Sequence, residues 1–478
     1  MRLSVLLPRL APLAIAGNTD VEISRVTRDS RQVDPHTAFV AIQGAKVDGH
    51  ALASGMTAGA IVAERPVASD ATQVIVADSK RALALLAAGL EGDPGGSLQI
   101  VGVTGTNGKT TTTTLIEGAL RRDGRKVGRI GTTGNAIDGV SLPAGFTTPE
   151  APELQHLLAR MRDAGCTAVA MEVSSIGLSQ HRVDGIPFAL AVFTNFTQDH
   201  LDFHGTMDAY AAAKARLFRE LLRPVGGLPR ALLCADDPAW RRMDPPPDRW
   251  TFGFDPAADL RAEAARVTGG GTVLQIRTPF GPTELHSQLI GRFNAQNLLA
   301  ALGSLLLLGL PLDRATEALS GADGAPGRLE RVDRGAGPLV LVDYAHSDDA
   351  LANALPVVRE LIPGGRLWVV FGCGGDRDRT KRPKMGRVAA ALADEVVVTS
   401  DNPRHEDPGA IAAEILAGID RPVTVELDRA KAIALAIREA KAGDAVVIAG
   451  KGHETTQQVG DVYHPFDDRL VAAAAIRR

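Results

Sequence analysis

The stretch Ile100-Val101-Gly102-Val103-Thr104-Gly105-Thr106-Asn107-Gly108-Lys109-Thr110 constrains this chain more than any other. An apolar run of strand length feeds a glycine-containing loop that ends in Gly-Lys-Thr. Thr111 to Arg122 then runs without proline, ends in basic residues and stops near Gly124, as a helix does. A strand, a tight loop and a helix in that order aim backbone N–H groups and the positive helix end at phosphate oxygens, with Lys109 as a point charge and Thr110 as a hydroxyl ligand for Mg²⁺. The common spacing G-x-x-x-x-G-K-S/T is altered, because Val103 stands where the first glycine belongs. The register of strand, loop and helix still predicts an ATP site formed by Gly105, Thr106, Asn107, Gly108, Lys109, Thr110 and Thr111.

At 478 residues the chain has room for about three domains. Two turn-rich breaks, Glu91-Gly-Asp-Pro-Gly-Gly-Ser97 and Gly321-Ala-Asp-Gly-Ala-Pro-Gly327, mark their limits. The middle block alternates short β-branched runs, such as Ala168–Met171 and Ala189–Phe193, with helical stretches. The last block repeats that style with Leu367–Phe371, Glu395–Thr399 and Ala445–Ala449, which read as buried parallel strands. The expected fold is α/β in three domains: residues 1–95 at the N-terminus, a central P-loop ATPase domain with a parallel sheet over 96–326, and a Rossmann-like C-terminal domain over 327–478.

A net charge of −4 gives no sign of nucleic-acid binding, and an apolar share of 45% supplies several cores. Cys166, Cys234 and Cys373 lie far apart in no ligand spacing, which suits buried thiols in a reducing compartment. The apolar start, Met1 to Gly17, is not read as a secretory signal, because Arg9, Pro8 and Pro12 interrupt it. Leu298 to Leu312 is broken by Gly303, Gly309 and Pro311, so no segment is expected to span a bilayer. The expectation is a cytoplasmic monomer whose partners are small molecules, not nucleic acid or membrane.

The carboxyl ends of the last block's strands carry its unusual residues: Gly372-Cys-Gly-Gly-Asp-Arg-Asp-Arg379, Ser400-Asp-Asn-Pro-Arg404 and Gly450-Lys-Gly-His-Glu454. Each loop alone reads equally well as a solvated turn. Together at one sheet edge they predict a pocket for a zwitterion, with Arg forks for carboxylates and Glu454 or Asp401 for an ammonium group.

Eight motifs in order then give a family resemblance across the whole chain: Thr104–Thr110, Phe146-Thr-Thr-Pro149, Met171-Glu-Val-Ser-Ser175, Asn195-Phe-Thr-Gln-Asp-His-Leu-Asp-Phe-His204, Gly291-Arg-Phe-Asn-Ala-Gln-Asn297, Asp343-Tyr-Ala-His346, Asp401-Asn-Pro-Arg404 and Gly450–Glu454. The sequence resembles the Mur ligases. The resemblance implies that ATP phosphorylates a carboxylate, that an amine displaces the phosphate, and that domain closure brings the two together. It implies Lys109, Glu172, His200 and Lys214 as catalytic residues. Thr110, Glu172 and His200 would be Mg²⁺ ligands or partners of those ligands. Lys214, in the Ala-rich stretch Tyr210–Phe218, would ordinarily be a solvated surface residue; the resemblance implies N6-carboxylysine there, its carbamate holding a second Mg²⁺. His200 and His204, four apart, could instead pair on zinc.

For the acyl substrate, the resemblance implies UDP-N-acetylmuramoyl-L-alanyl-D-glutamate, with its UDP in the N-terminal domain at Ser30 and the rest on Thr147, Thr148, Ser174, Gln180 and Arg182. Asn294, Asn297, Arg328, Asp343 and His346 complete the ATP site. Relatives with the tetrapeptide Asp401-Asn402-Pro403-Arg404 use meso-diaminopimelate, whose extra carboxylate suits Arg404; Arg377, Gly450 and Glu454 supply the remaining contacts. Two departures stand out. Ser347-Asp348 replaces the usual Thr-Pro and so changes a helix start, where Ser or Asp can cap, and Ile176 stands where some relatives have His. Rival readings are another amide ligase of the superfamily, such as a folylpolyglutamate or lysine-adding enzyme, and a nonenzymatic nucleotide switch.

Overall fold

The computed structural model describes residues 1–44, 47–142, 145–222, 230–268, 270–332 and 337–477. The chain forms two compact units. One comprises Met1–Glu263, Ile276–Thr283 and Gln296–Gly321; the other comprises Ala264–Gln275, Glu284–Ala295 and Ala322–Arg478.

The first unit opens with a five-stranded sheet in the order Ala14–Ala16, Thr72–Ile75, Ala60–Ala63, Thr37–Val40, Arg25–Thr27, parallel except at the Ala14–Ala16 edge. Leu3 and Leu6 are fully buried in its core, which accounts for the apolar composition of the N-terminal segment.

A larger sheet follows, whose parallel centre runs Val127–Ile130, Ala168–Glu172, Gln99–Thr104, Leu190–Phe193, Ala231–Cys234, Arg249–Gly253. Ala168–Glu172, Leu190–Phe193 and Ala231–Cys234 are buried along their whole length and so read as nearly unbroken apolar runs, whereas Arg249–Gly253 is only half-buried over its first three residues. Gln99–Thr104 pairs with Ala168–Glu172 in a register that sets Glu172 beside Val103. The phosphate loop and the Glu172 carboxylate thus emerge at the same sheet edge.

In the second unit a six-stranded sheet runs Glu330–Arg331, Leu339–Asp343, Ala445–Ala449, Leu367–Phe371, Glu395–Val398, Thr424–Val425, with only the first pair antiparallel. Alternate residues feed two cores. Val340, Val342, Trp368, Val370, Val446 and Ile448 pack with Ile433 and Ala436 on one face, while Leu341, Val369, Phe371, Val447 and Ala449 pack with Leu351 and Met385 on the other. The three strands predicted here are present; Glu395–Val398 ends one residue before the expected Thr399.

Two helix starts bear on the site. The phosphate-loop helix is Lys109–Arg122, two residues longer than the sequence expectation, because Gly108 takes the N-cap position at φ 86°. A residue with φ in that region is most easily a glycine. Ser347 caps Asp348–Leu361 by accepting the Ala350 N–H, so the Ser347-Asp348 departure substitutes a side-chain cap for a proline start.

Candidate active site

The phosphate loop is held by the segment after Phe193. Thr106 N–H donates to Asn195 O (2.9 Å), Asn107 N–H to Asn195 Oδ1 (2.8 Å), and Thr194 Oγ1 to Asn107 O (2.6 Å). A Cβ at Gly105 would collide with Thr194 Oγ1, and one at Gly108 with Asn297 Oδ1. The loop's glycines are therefore required by close approach as well as by positive φ. Lys109 Nζ donates to Gly105 O (2.9 Å) and Thr106 O (2.8 Å), and Thr111 is buried in the first helical turn. Asn297 also accepts Thr112 Oγ1 at 3.4 Å, so of the two predicted asparagines it adjoins the loop directly.

Glu172, 1% exposed, receives Thr110 Oγ1 (3.0 Å) and Thr132 Oγ1 (3.2 Å) on Oε2 and Thr132 N–H (2.8 Å) on Oε1. Thr132 Oγ1 lies 3.0 Å from Thr147 Oγ1. Thr148 Oγ1 donates to Glu172 O (2.9 Å) and accepts Ser174 N–H (3.0 Å), and Arg182 Nη1 donates to Thr148 O (2.9 Å). The predicted Thr110, Thr147, Thr148, Glu172, Ser174 and Arg182 thus form one connected group. Ser174 also caps the helix Ser175–Ser179 and Gln180 ends it. Ser30 opens the short helix Ser30–Gln32, whose cap Asp29 is held at a pKa of about 2 by the Arg31 side chain and N–H. Beside it, Arg28 and Arg182 both pair with Glu150, at 3.1 and 2.6 Å. Thr132 and Glu150 carried no sequence signal of their own.

Lys214 overturns the ordinary reading of a lysine in an Ala-rich helix. It lies 1% exposed in Met207–Arg219, with Nζ donating to Gly105 O (2.8 Å) and standing 4.4 Å from the Tyr210 ring centre. Burial, aided by the Lys109 charge, pulls its pKa well below the usual 10.5. His200 and His204 have separate partners. His200 is the N-cap of Leu201–His204 at φ 52°, with Asp199 (3.5 Å) and Tyr210 as neighbours, while His204 Nε2 lies 2.9 Å from Ser175 Oγ. Among the described residues no group of three or more His, Cys, Asp or Glu side chains could hold a metal. The structure brings Glu172 to Thr110, while His200 has other neighbours.

In the second unit, Asp343 ends its strand and accepts Leu329 N–H (2.7 Å); burial raises its carboxyl above the usual range although Arg328 opposes the rise. Arg328 lies over the Tyr344 ring (4.9 Å), and the His346 and His453 rings stand 4.6 and 5.1 Å from it. Asn294 is buried and donates to Ile290 O (2.8 Å).

The three charged loops meet as expected at one sheet edge. Asn402 Nδ2 donates to Glu454 Oε2 (2.9 Å), and Lys451 Nζ donates to Glu454 Oε2 (2.9 Å) and Asn402 Oδ1 (3.1 Å). Arg404, at φ 50°, donates from Nη1 to Gly375 O (2.7 Å) and from Nε to Gln458 Oε1 (3.2 Å). A Cβ at Gly375 would strike Pro403 O, and Gly450 packs against Asp401. Burial raises the Asp401 carboxyl pKa, against the pull of Arg429 and Lys451, whereas Glu454 stays below its usual range because Lys451 and Asn402 outweigh burial. Arg377 is exposed. Sequence reasoning assigned no role to three fully buried cations that fix these loops: Lys451; Arg382, bonded to Glu406, Glu414 and Gly374 O; and Arg429, bonded to Asp468, Ser400 O and Ala449 O.

A phosphate loop with a buried carboxylate on one parallel sheet, and charged loops at the carboxyl ends of another, are the architecture of a nucleotide-binding α/β protein. Residues 103–305 match the family model described as Mur ligase middle domain, and residues 327–452 match Mur ligase, glutamate ligase domain. The chain is 46% identical to the UDP-N-acetylmuramoyl-L-alanyl-D-glutamate--2,6-diaminopimelate ligase of Geobacillus thermodenitrificans, covering 100% of this chain and 99% of that protein. It is 47% identical to the protein of the same name from Gloeobacter violaceus, over 100% and 98%. A solved structure of a ligase of that name superposes with a TM-score of 0.73 at 33% identity, covering 100% of this chain and 99% of that one. The chain belongs to the Mur ligase family. Among the described residues no helix is long and apolar enough to cross a membrane.

Proposed function

We propose that this protein is an ATP-dependent ligase joining meso-2,6-diaminopimelate to the D-glutamate of UDP-N-acetylmuramoyl-L-alanyl-D-glutamate in peptidoglycan precursor synthesis, acting in the cytoplasm. A carboxylate oxygen of D-glutamate attacks the γ-phosphorus and ADP leaves. The amine nitrogen then attacks the acyl carbon, phosphate leaves, and the amine proton passes to solvent or a neighbouring base. Residues 1–95 take the UDP end near Ser30, 96–326 carry the phosphoryl chemistry, and 327–478 present the amine.

The phosphate loop amides, the N-terminus of Lys109–Arg122 and Lys109 itself supply positive potential where phosphoryl charge develops. Thr110 Oγ1 and the Glu172 carboxylate are adjacent hard oxygen donors, the set Mg²⁺ prefers. Bound there, Mg²⁺ would neutralise phosphate charge. Lys214 meets the requirement for carboxylation by CO₂, an amine that loses its proton readily. Its carbamate would keep one N–H for Gly105 O and add oxygen donors.

The observation that carries the choice of amine is the Asn402–Lys451–Glu454 cluster beside the Arg404 turn. On this reading Glu454 would receive the distal ammonium and the Arg404 guanidinium the distal carboxylate. L-Lysine offers only the ammonium, and losing a charge-assisted bond of this kind costs about 2–3 kcal/mol, a discrimination on the order of 10². The test is phosphate release and product mass with ATP, Mg²⁺ and the UDP-linked dipeptide, with meso-diaminopimelate or L-lysine in parallel. Tripeptide from diaminopimelate alone is expected. Equal use of lysine would remove the Arg404 argument, and turnover independent of either amine would remove the ligase reading.

A further inference from the structure

We propose that Lys451 is a positioning residue for amine specificity: one buried cation fixes both the carboxylate that receives the distal ammonium and the turn that presents Arg404. The inference rests on the diaminopimelate reading of this site.

Lys451 is 0% exposed, follows the strand Ala445–Ala449, and points its ammonium at two motif residues, Glu454 Oε2 and Asn402 Oδ1. Asn402 has no freedom left. Its Oδ1 also accepts Gln458 N–H (2.9 Å), and its Nδ2 serves Glu454. A flipped amide would set NH₂ against the Lys451 ammonium and the Gln458 N–H, so the cation dictates the orientation. Gln458 passes that order on, since its Oε1 accepts Arg404 Nε and its carbonyl accepts Arg404 N–H (3.1 Å). A chain of hydrogen bonds therefore runs from Lys451 through Asn402 and Gln458 to Arg404.

The second consequence concerns Glu454 itself. The groups facing it are Lys451, the Asn402 amide and His453, which favour its charge, Arg429, which does so from further off, Asp401, which opposes it, and the neutral Tyr344 phenol. Without Lys451 the balance turns against an ionised, partly buried carboxylate. Such a carboxylate would reach its charged form only at higher pH, and only then attract an ammonium.

The experiment uses the full chain with ATP and the UDP-linked dipeptide saturating and meso-diaminopimelate varied from pH 6.5 to 9, in the wild type, Lys451→Met, Glu454→Gln and the double variant. Lys451→Met is expected to raise the KM for diaminopimelate about 10- to 100-fold near pH 7, the size of one charge-assisted bond. The KM values for ATP and the UDP-linked dipeptide should stay within about twofold, a split that general loosening would not give. The diaminopimelate KM of Lys451→Met should recover as pH rises. The double variant should lose that pH dependence and be no worse than Glu454→Gln, because the two side chains act as one unit. An unchanged diaminopimelate KM, an equal rise in all three KM values, or effects that simply multiply would overturn the proposal. If Met at 451 prevents folding, Lys451→Gln, which keeps hydrogen bonding without charge, is read by the same criteria. Failure of the wild type to form a diaminopimelate product would instead remove the underlying reading.

Discussion

Removing Asp468 tests whether the second unit depends on charges buried behind its loops. Asp468 begins the helix Asp468–Ile476, Arg429 begins Arg429–Glu439, and both side chains are 0% exposed. Two bonds of 2.7 Å join them, and Arg429 also donates to Ser400 O (3.2 Å) and Ala449 O (3.0 Å), the residues immediately before the Asp401 and Gly450 turns. In Asp468→Ala the guanidinium stays buried without its carboxylate, a defect that costs about 3–5 kcal/mol. Arg429→Met combined with Asp468→Leu removes both charges together. It leaves mainly two carbonyls short of a donor, at about 1–3 kcal/mol. The double variant should therefore be more stable than Asp468→Ala.

Urea unfolding followed by Trp368 reads the comparison, because Trp368 lies in the same core as Ala472 of the terminal helix. Trp240 and Trp250 are first replaced by Phe so that only this sheet reports. At equal m-values, a loss below about 1 kcal/mol in Asp468→Ala, or a double variant less stable than that single one, would refute the reasoning.

Two further outcomes follow from the same electrostatics. Lys214 should carry a CO₂ adduct, visible by native mass spectrometry in bicarbonate near pH 8 and absent in Lys214→Ala; a wild-type protein without the adduct would end the carbamate proposal. Glu406 is held at a pKa of about 2 by the Arg382 guanidinium and the Asp376 N–H, against an ordinary 4.5. A depressed carboxyl stabilises the fold above pH 4.5, and that contribution fades as pH falls toward about 2. Acid titration of stability should thus be flatter between those values in Glu406→Gln, and identical curves would show that the Arg382 pair does not contribute.

The parts legible in the sequence were those whose logic is local. Strand, loop and Gly-Lys-Thr stand in register within eleven residues, and the charged loops follow directly from apolar runs that could only be buried strands. The illegible parts join residues far apart in the chain. Arg429 and Asp468 are 39 positions apart, and each alone looks like a charge at an ordinary helix start. Arg382, in Lys381-Arg-Pro-Lys384, reads as a solvated basic run, yet Glu406 and Glu414 bury it. Lys214 was singled out by the family resemblance and not by composition, for the same reason: its helix offers no hint that the residue faces Gly105, 109 positions earlier.

Gly105 also shows why the phosphate loop is poised electrostatically. Two lysines, Lys109 at 2.9 Å and Lys214 at 2.8 Å, donate to its one carbonyl oxygen. Two ammonium charges so close repel strongly in a site largely shielded from water, and the deeper one, Lys214, bears the burial cost as well, which is why its pKa falls. The strain can be relieved in two ways. A phosphate group draws Lys109 off the carbonyl toward its own oxygens, and a carboxyl group on Lys214 turns the second cation into an anion. The two reliefs share one cation, since a carbamate on Lys214 would pair with Lys109 while a phosphate would draw Lys109 toward itself. In the proposed carbamate form, carboxylation and nucleotide binding would thus be linked through Lys109.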